Sequence, residues 1–463
     1  MNTRNFRDLG DKRLLKRGNK ILDDLFTKSV RSIRQFSDDE ASAKGCYRFL
    51  QNDRVREDDI IRNMSYNCIE ACRGKYVVCI QDSTEINLYS HKGRIKKDGF
   101  IGTTTAKKDL GLGFYIHPSV VLDAIDGTPY GFADVKLWSR PEKFENKHER
   151  KYHELPIEDK ESYKWIEVSQ HTISALKEEV PGMLIVQDRE GDIYEQFARI
   201  PQTGIDLLIR ARADRLLSDG TKLFESIDKQ QVPSIYSVFI DARNGRKKRT
   251  AKIEVRYKQV EIKSPGRVDK NTPKSLKICL IEAKEVGYEH TDAICWRLLT
   301  TISIDNMQTA MSCIEWYSWR WTIEEIFKIL KKEGYDIESS ELEYASSIRK
   351  QSLMIMEVTI KLFLMRLAYA EPEMEIAPGS CFDAQQQLVM EEYMKKLEGK
   401  TQKQKNNYTK MDLKRYVWVI ARLGGWKGYE SNRHPGITTL WIGLKRFKDI
   451  MQAFHIFKDV STR

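Results

Sequence analysis

Two short apolar runs, residues 76–81 and 183–187, stand out in the hydrophobic pattern of the chain. Both are rich in Val and Ile, and both stop at the dipeptide Gln-Asp. Continuous apolar runs of this length predict strands buried on both faces. Further strands are predicted at 116–122 and 207–211. Residues from about 71 to 212 therefore read as alternating strands and helices. Residues 1–70 carry helical spacing with little strand pattern. Leu14, Ile21, Leu22 and Leu25 share a face, with Arg13, Lys16, Arg17 and Lys20 interleaved.

From about 213 to 300 the period changes to two. The run 235–242 reaches Asn244-Gly245, a strong hairpin signal. Ala251, Ile253, Val255 and Tyr257 then alternate with Lys252, Glu254, Arg256 and Lys258. The alternation slips at Gln259, which predicts a bulge. Residues 317–331 and 348–370 predict two helices, and Glu371-Pro-Glu-Met-Glu a linker. Residues 371–463 read as helical, interrupted by the polar run 400–410. In the last helix Leu440, Trp441, Leu444, Phe447, Met451 and Phe454 form an apolar stripe, either core or subunit interface. The pattern predicts a multidomain α/β protein in three parts: a helical domain at 1–70, a mixed domain at 71–370 interrupted by a β insertion at about 213–300, and a helical domain at 371–463.

Composition adds an anionic partner. The chain has 463 residues, 41% of them hydrophobic, and a net charge of +11, which favours a polyanion. Residues 1–36 hold ten Lys/Arg against four Asp/Glu, and residues 243–277 hold thirteen against three. Basic runs are also ordinary solubilising faces, but two such blocks flanking a set of acids fit a long polyanion better. No apolar core follows Met1-Asn-Thr-Arg, so no signal peptide is expected and a cytoplasmic protein is. The most apolar stretch, 353–370, contains Glu357, Lys361 and Arg366, which predicts a buried helix and no membrane partner. The eight cysteines show no paired C-x2-C spacing, which argues against zinc. His117 follows an apolar-aromatic stretch and reads as packed, not catalytic.

The candidate chemistry lies in three acids. On an ideal helix, with Tyr317 at zero, Arg320 falls at about 300°, Glu324 at about 340° and Lys331 at about 320°. One carboxylate thus shares a narrow stripe with two cations and a phenol. Asp82 and Asp188 each end a predicted buried strand, where open sheets form their ligand crevice. Taken singly, each aspartate also reads as a cap for the turn that follows, and Arg320 with Glu324 as an ordinary i,i+4 pair. Taken together, Asp82, Asp188 and Glu324 form a strand-acid, strand-acid, helix-acid triad. Their hard oxygens suit two Mg²⁺ or Mn²⁺ ions and in-line displacement at phosphorus.

The triad, the Tyr-x2-Arg-x3-Glu-x6-Lys spacing and Asp188-Arg-Glu-Gly-Asp192 resemble bacterial DDE transposases of the insertion-sequence-four (IS-4) family. Leu9-Gly-Asp-Lys-Arg13 and Gly45-Cys-Tyr47-Arg-Phe49-Leu resemble that family's N-terminal DNA-binding segment. Gly113-x3-His117, Trp138-Ser-Arg140-Pro141 and Pro435-Gly436-x3-Leu440-Trp441-x-Gly443 extend the likeness over most of the chain. The resemblance implies a ribonuclease-H-like core and makes Asp82, Asp188 and Glu324 the metal-binding catalytic residues. It makes Tyr317, Arg320 and Lys331 phosphate contacts, and puts Trp296, 21 residues before Tyr317, where the family keeps an indole for a flipped base. Trp321 and Arg210 fall on its DNA-contacting positions. It further implies double-stranded transposon ends and target DNA as partners, a hairpin intermediate and a homodimer. Two rivals remain open at this point: a plain nuclease of the same fold, and a DNA-binding regulator without catalysis.

Overall fold

The computed structural model describes residues 4–28, 30–96, 98–104, 111–141, 155–230, 234–240, 248–266, 268–269, 271–332, 334–370, 374–428 and 434–461. Among the described residues ten strands form one mixed sheet: β1 Val77–Gln81, β2 Thr84–Asn87, β3 Gly113–Asp123, β4 Pro129–Trp138, β5 Met183–Gln187, β6 Ile205–Arg210, β7 Ser234–Ile240, β8 Arg249–Lys263, β9 Ser275–Val286 and β10 Cys295–Thr300. The order is β2-β3-β1-β5-β6-β10-β9-β8-β7, with β4 on the other edge of β3. The joins of β1 to β5 and of β5 to β6 are parallel, and the others are antiparallel.

The centre of the sheet is buried on both faces. Val78, Ile80, Leu184, Val186 and Leu208 join one apolar cluster, while Val77, Cys79, Met183, Ile185, Leu207 and Ile209 join the other. Apolar runs without alternation meet this two-sided demand, since successive strand side chains point to opposite faces.

Four N-terminal helices, α1 Lys12–Lys28, α2 Ile33–Phe36, α3 Glu40–Gln51 and α4 Glu57–Cys72, precede the sheet. Within it fall α5 Lys164–Leu176, α6 Tyr194–Arg199 and α7 Leu223–Asp228. After it come α8 Met307–Ser318, α9 Trp321–Lys331, α10 Ala345–Ala370, α11 Ala384–Leu397, α12 Leu413–Leu423 and α13 Ile437–Ser461. Helix α10 is the hub. It is buried along most of its length, polar side chains included. Several of those polar groups tie the N-terminal region down. Glu357 accepts from Arg4 and Asn67, Arg349 pairs with Glu57, and Lys350 donates to the carbonyls of Leu50 and Asn52. The N-terminal helices and α10 to α13 share one continuous apolar cluster. The stripe of the last helix is core within this chain: Leu440, Leu444 and Phe447 are buried, and Lys448 reaches the buried carboxylate of Asp24 on α1.

The β insertion extends the main sheet. One expectation changes: no bulge occurs at Gln259, because β8 and β9 keep one register from Lys252↔Val286 to Lys263↔Ser275. The slip in alternation has another cause. Ala251, Ile253 and Val255 face one apolar cluster, whereas Val260 and Ile262 face the opposite one. The strand is continuous and its covered face switches. The expected turn at Asn244-Gly245 and the linker residues Glu371, Pro372 and Glu373 lie outside the described residues. No helix among the described residues is long and apolar enough to cross a membrane.

Candidate active site

Strands β1 and β5 run parallel in the register Gln81↔Gln187, so Asp82 and Asp188 follow side by side from adjacent strand ends. The break in pairing at Asp82 has a cause on the neighbouring strand. β1 and β2 pair with β3 in a single register, which puts Asp82 opposite Pro118 and Ser83 opposite His117. Proline supplies no N–H to a ladder, and the chain leaves the sheet there. Ser83 then holds the bend. Its N–H donates to Asp82 Oδ1 at 2.7 Å, and its hydroxyl lies 2.8 Å from His117 Nδ1. His117 is fully buried against Trp165, and burial pushes its basicity down, so it stays neutral. The sequence expectation of a packed histidine agrees with this position.

Beneath the two aspartates lies a buried amide network. Gln187 Nε2 donates to Gln81 Oε1 at 2.8 Å, and Gln81, Gln187 and Gln196 all direct amide groups at Ser169 Oγ. Gly191 is required here, since a Cβ would meet Gln187 Oε1 at 2.4 Å. The signal was the repeated Gln-Asp, of which only the acid was read as functional. Gln187→Leu should destabilise the fold by about 1–3 kcal/mol, because Gln81 Oε1 loses its nearer donor in a dry site and keeps only the Ser169 hydroxyl at 3.4 Å. Adding Gln81→Leu should recover part of that loss. Urea denaturation of the single and double variants measures the coupling, and strictly additive losses would contradict it.

The third acid arrives by a tighter route than an ideal helix. The expected continuous helix over 317–331 is interrupted: α8 ends at Ser318 and α9 begins at Trp321. The N–H groups of Arg320, Thr322 and Ile323 reach back three residues instead of four. The run of aromatic and β-branched residues here favours α-helix weakly. In such a turn residues i and i+3 eclipse, which keeps Tyr317 and Arg320 on one side. Glu324 then follows one α-helical turn later.

Tyr317 and Arg320 gather the acids. The Tyr317 hydroxyl donates to Asp188 Oδ1 at 3.1 Å. Arg320 bridges the other two, with Nη1 3.0 Å from Asp82 Oδ2 and Nη2 2.5 Å from Glu324 Oε1. Burial pushes the Asp82 carboxyl up to about 6; Ser83 and Arg320 oppose that rise, and the charges of Asp188 and Glu324 add to it. Among the described residues no three His, Cys, Asp or Glu side chains converge as a metal site, and the guanidinium stands between two of the acids. The donor set nonetheless suits Mg²⁺ or Mn²⁺, being carboxylate oxygens only. The mutual repulsion felt at Asp82 is what a cation would relieve.

That elevated value has a stability consequence. The folded-state value lies above the unfolded value of about 3.9, so ionising Asp82 opposes folding. The penalty is absent below about pH 4, grows as pH rises through 4 to 6, and is complete above that window. Asp82→Asn should therefore raise the stability of the metal-free protein at pH 8 by on the order of 1–2 kcal/mol, with no gain at pH 4. Thermal melts at the two pH values test this. A lower melting temperature at pH 8 would mean that pairing with Arg320 outweighs burial.

The other expected residues divide into those near the acids and those apart. Trp296, on β10, packs edge-to-face on Tyr317 with ring centroids 5.2 Å apart. The charge of Arg210 is felt at the Tyr317 hydroxyl, and its Nη2 donates to the Cys295 carbonyl. Trp321 is 52% exposed, with the Arg320 guanidinium 5.5 Å from its ring centroid. Lys331 is not gathered with the acids. It donates to the Glu85 carbonyl at 2.7 Å and pairs with Glu338 at 3.2 Å. On α1, Arg13 and Lys16 are exposed, while Arg17 is half-buried over Gly45. Asp192 was read only as part of a motif. Its buried carboxylate accepts from the Arg212 N–H and pairs with Arg215, which fixes the loop after β6.

Residues 4–55 match the family described as Transposase DNA-binding. The matched stretch spans α1 to α3 and supports a DNA transposase with DNA as its partner. Among solved structures the chain is similar to the piggyBac transposase in a cryo-EM synaptic complex with hairpin DNA. Identity is 12%, the match covers 92% of this chain and 77% of that chain, and the TM-score is 0.40.

Proposed function

We propose that the chain is a cut-and-paste DNA transposase of the DDE type, with a ribonuclease-H-like core and the IS-4 family's chemistry. The carrying observation is the gathering of Asp82, Asp188 and Glu324 around Tyr317 and Arg320, in a chain whose first helices match a transposase DNA-binding family. The strand order β4-β3-β1-β5-β6, antiparallel across two joins and parallel across the next two, supports the ribonuclease-H-like reading.

In this reading Asp82, Asp188 and Glu324 hold two Mg²⁺ or Mn²⁺ ions. Those ions supply activation of the attacking hydroxyl and charge relief at the leaving oxygen. The carboxylates fix where the scissile phosphate sits. Arg320, Tyr317 and Arg210 hold neighbouring phosphates by charge-assisted bonds. The exposed Trp321 and the basic helix α1 extend the contact along the duplex, and Trp296 offers a face to an extruded base. Water attack at the element's end would free a 3′-hydroxyl; that hydroxyl would attack the opposite strand, expelling the flanking DNA with its own 3′-hydroxyl and closing a hairpin; a second water would reopen the hairpin and free the 3′-hydroxyl again for attack on the target, within a homodimer.

One observation favours a second reading, a regulator that binds ends without cutting: Arg320 already neutralises two of the acids. The deciding experiment uses a duplex that carries the terminal repeat read from DNA flanking the gene. Strand cleavage followed by joining to a plasmid supports the transposase. Cleavage without joining supports a nuclease, and tight binding without cleavage supports the regulator.

A further inference from the structure

The acids and the phosphate-binding groups are bonded to each other. Arg320, only 8% exposed, gives both arms of its guanidinium to Asp82 and Glu324, and the Tyr317 hydroxyl gives its proton to Asp188. Each acid of the triad is thereby engaged by a group that the transposase reading needs for DNA. Neither donor can keep its carboxylates and hold a phosphate as well: both arms of Arg320 are already engaged, and the Tyr317 hydroxyl has a single proton to give. Arg320 lies against the Trp321 ring, and Tyr317 is buried against Trp296.

We infer that Tyr317 and Arg320 form an exchange couple, passing from the triad carboxylates to a DNA phosphate, so that DNA and divalent cations bind the site cooperatively. This rests on the transposase reading and goes beyond it, since that reading says nothing about the order of binding.

A guanidinium bridging two carboxylates occupies the place a divalent cation needs and supplies part of its charge. A cation that enters must displace the guanidinium into a half-buried space beside a dication, where like charges repel strongly. A phosphate at the site removes that obstacle. It accepts the planar fork of Arg320 in the bidentate geometry a carboxylate uses, and leaves three acids that repel one another until a cation arrives. Two ligands linked in this way raise each other's affinity by the same factor. The couple would keep the centre unloaded on protein that has found no DNA, which limits stray nicking.

The test measures Mn²⁺ binding from loss of the free-ion magnetic resonance signal, independently of cleavage. It compares the full-length parent with Arg320→Gln and Arg320→Gln/Glu324→Gln, with and without a short duplex. Without DNA, Arg320→Gln should bind Mn²⁺ about tenfold more tightly than the parent, within the usual range of couplings between sites. The double variant should lose that gain. With the duplex, the parent should tighten to the level of Arg320→Gln. Tyr317→Phe, which keeps the ring against Trp296 and removes only the hydroxyl, should tighten Mn²⁺ binding in the same direction, and it serves if Arg320→Gln does not fold. If folded Arg320→Gln or Tyr317→Phe binds Mn²⁺ no better than the parent while DNA still creates a site, the exchange couple is wrong and the transposase reading stands. If no Mn²⁺ site appears in the parent with DNA, both fall.

Discussion

Asp188→Ala protein is expected to retard an end-bearing duplex in a gel as the parent does, and to leave both strands intact. Asp188 stands at the end of β5, beside Asp82 on β1, and accepts the Tyr317 hydroxyl. Removing one carboxylate from a site for two cations disrupts both positions, so cleavage should fall by several orders of magnitude. Binding should survive, because the phosphate contacts proposed for α1 and for the basic block at 243–277 do not involve Asp188. Asp82→Ala and Glu324→Ala should behave alike. Glu325 is the control on the same helix. It faces away from the acids and pairs with Arg366 at 2.6 Å, so Glu325→Ala should cut normally even if it melts somewhat earlier. Full cleavage by any of the three triad variants in Mg²⁺ would remove that residue from the centre.

The second large effect concerns Trp296. To join the two strands of one end, the 3′-hydroxyl must cross the duplex, and the tight hairpin that results cannot keep its terminal base stacked. Extrusion costs a few kcal/mol, of which stacking on an aromatic face returns roughly 1–3 kcal/mol. Trp296 reaches the site because β10 runs antiparallel to β6, with Leu298 opposite Arg210, and its ring abuts Tyr317. Trp296→Ala should nick the first strand yet form hairpin roughly tenfold or more slowly, the factor that 1.4 kcal/mol represents. An abasic nucleotide at the extruded position should restore much of the yield, since nothing then needs extruding. Loss of packing on Tyr317 alone would not respond to the abasic substrate. Normal hairpin yield from folded Trp296→Ala would assign the indole to packing.

The three acids were legible as candidates because their contexts are local. A buried strand announces itself by an unbroken apolar run, and an acid at its end contrasts sharply with it. The register that brings Asp82 beside Asp188 was not legible, because it depends on a long-range parallel pairing that no turn dictates. The break at Asp82 depends on Pro118, more than thirty residues away, and its meaning appears only once β3 lies beside β1. Helical projection grouped Tyr317, Arg320 and Glu324, though the turn between α8 and α9 is tighter than assumed. It also grouped Lys331, which the geometry commits to Glu85 and Glu338. Projection shows which side chains share a side and says nothing of the partners waiting there. The slip at Gln259 was read as a backbone defect, whereas the strand merely changes the face it buries. The three-part division by pattern also missed how far Arg349, Lys350 and Glu357 on α10 bind the N-terminal helices to the sheet domain.

The most direct measurement of the central claim is the fate of an end-labelled duplex, carrying the element's terminal repeat, incubated with the parent protein and Mg²⁺ and run on a denaturing gel. The account predicts a nick at the element's end, then a product near twice the strand length that marks a hairpin, both absent with chelator and both absent with Glu324→Gln. An intact duplex in Mg²⁺ and in Mn²⁺, bound tightly by folded protein, would contradict it.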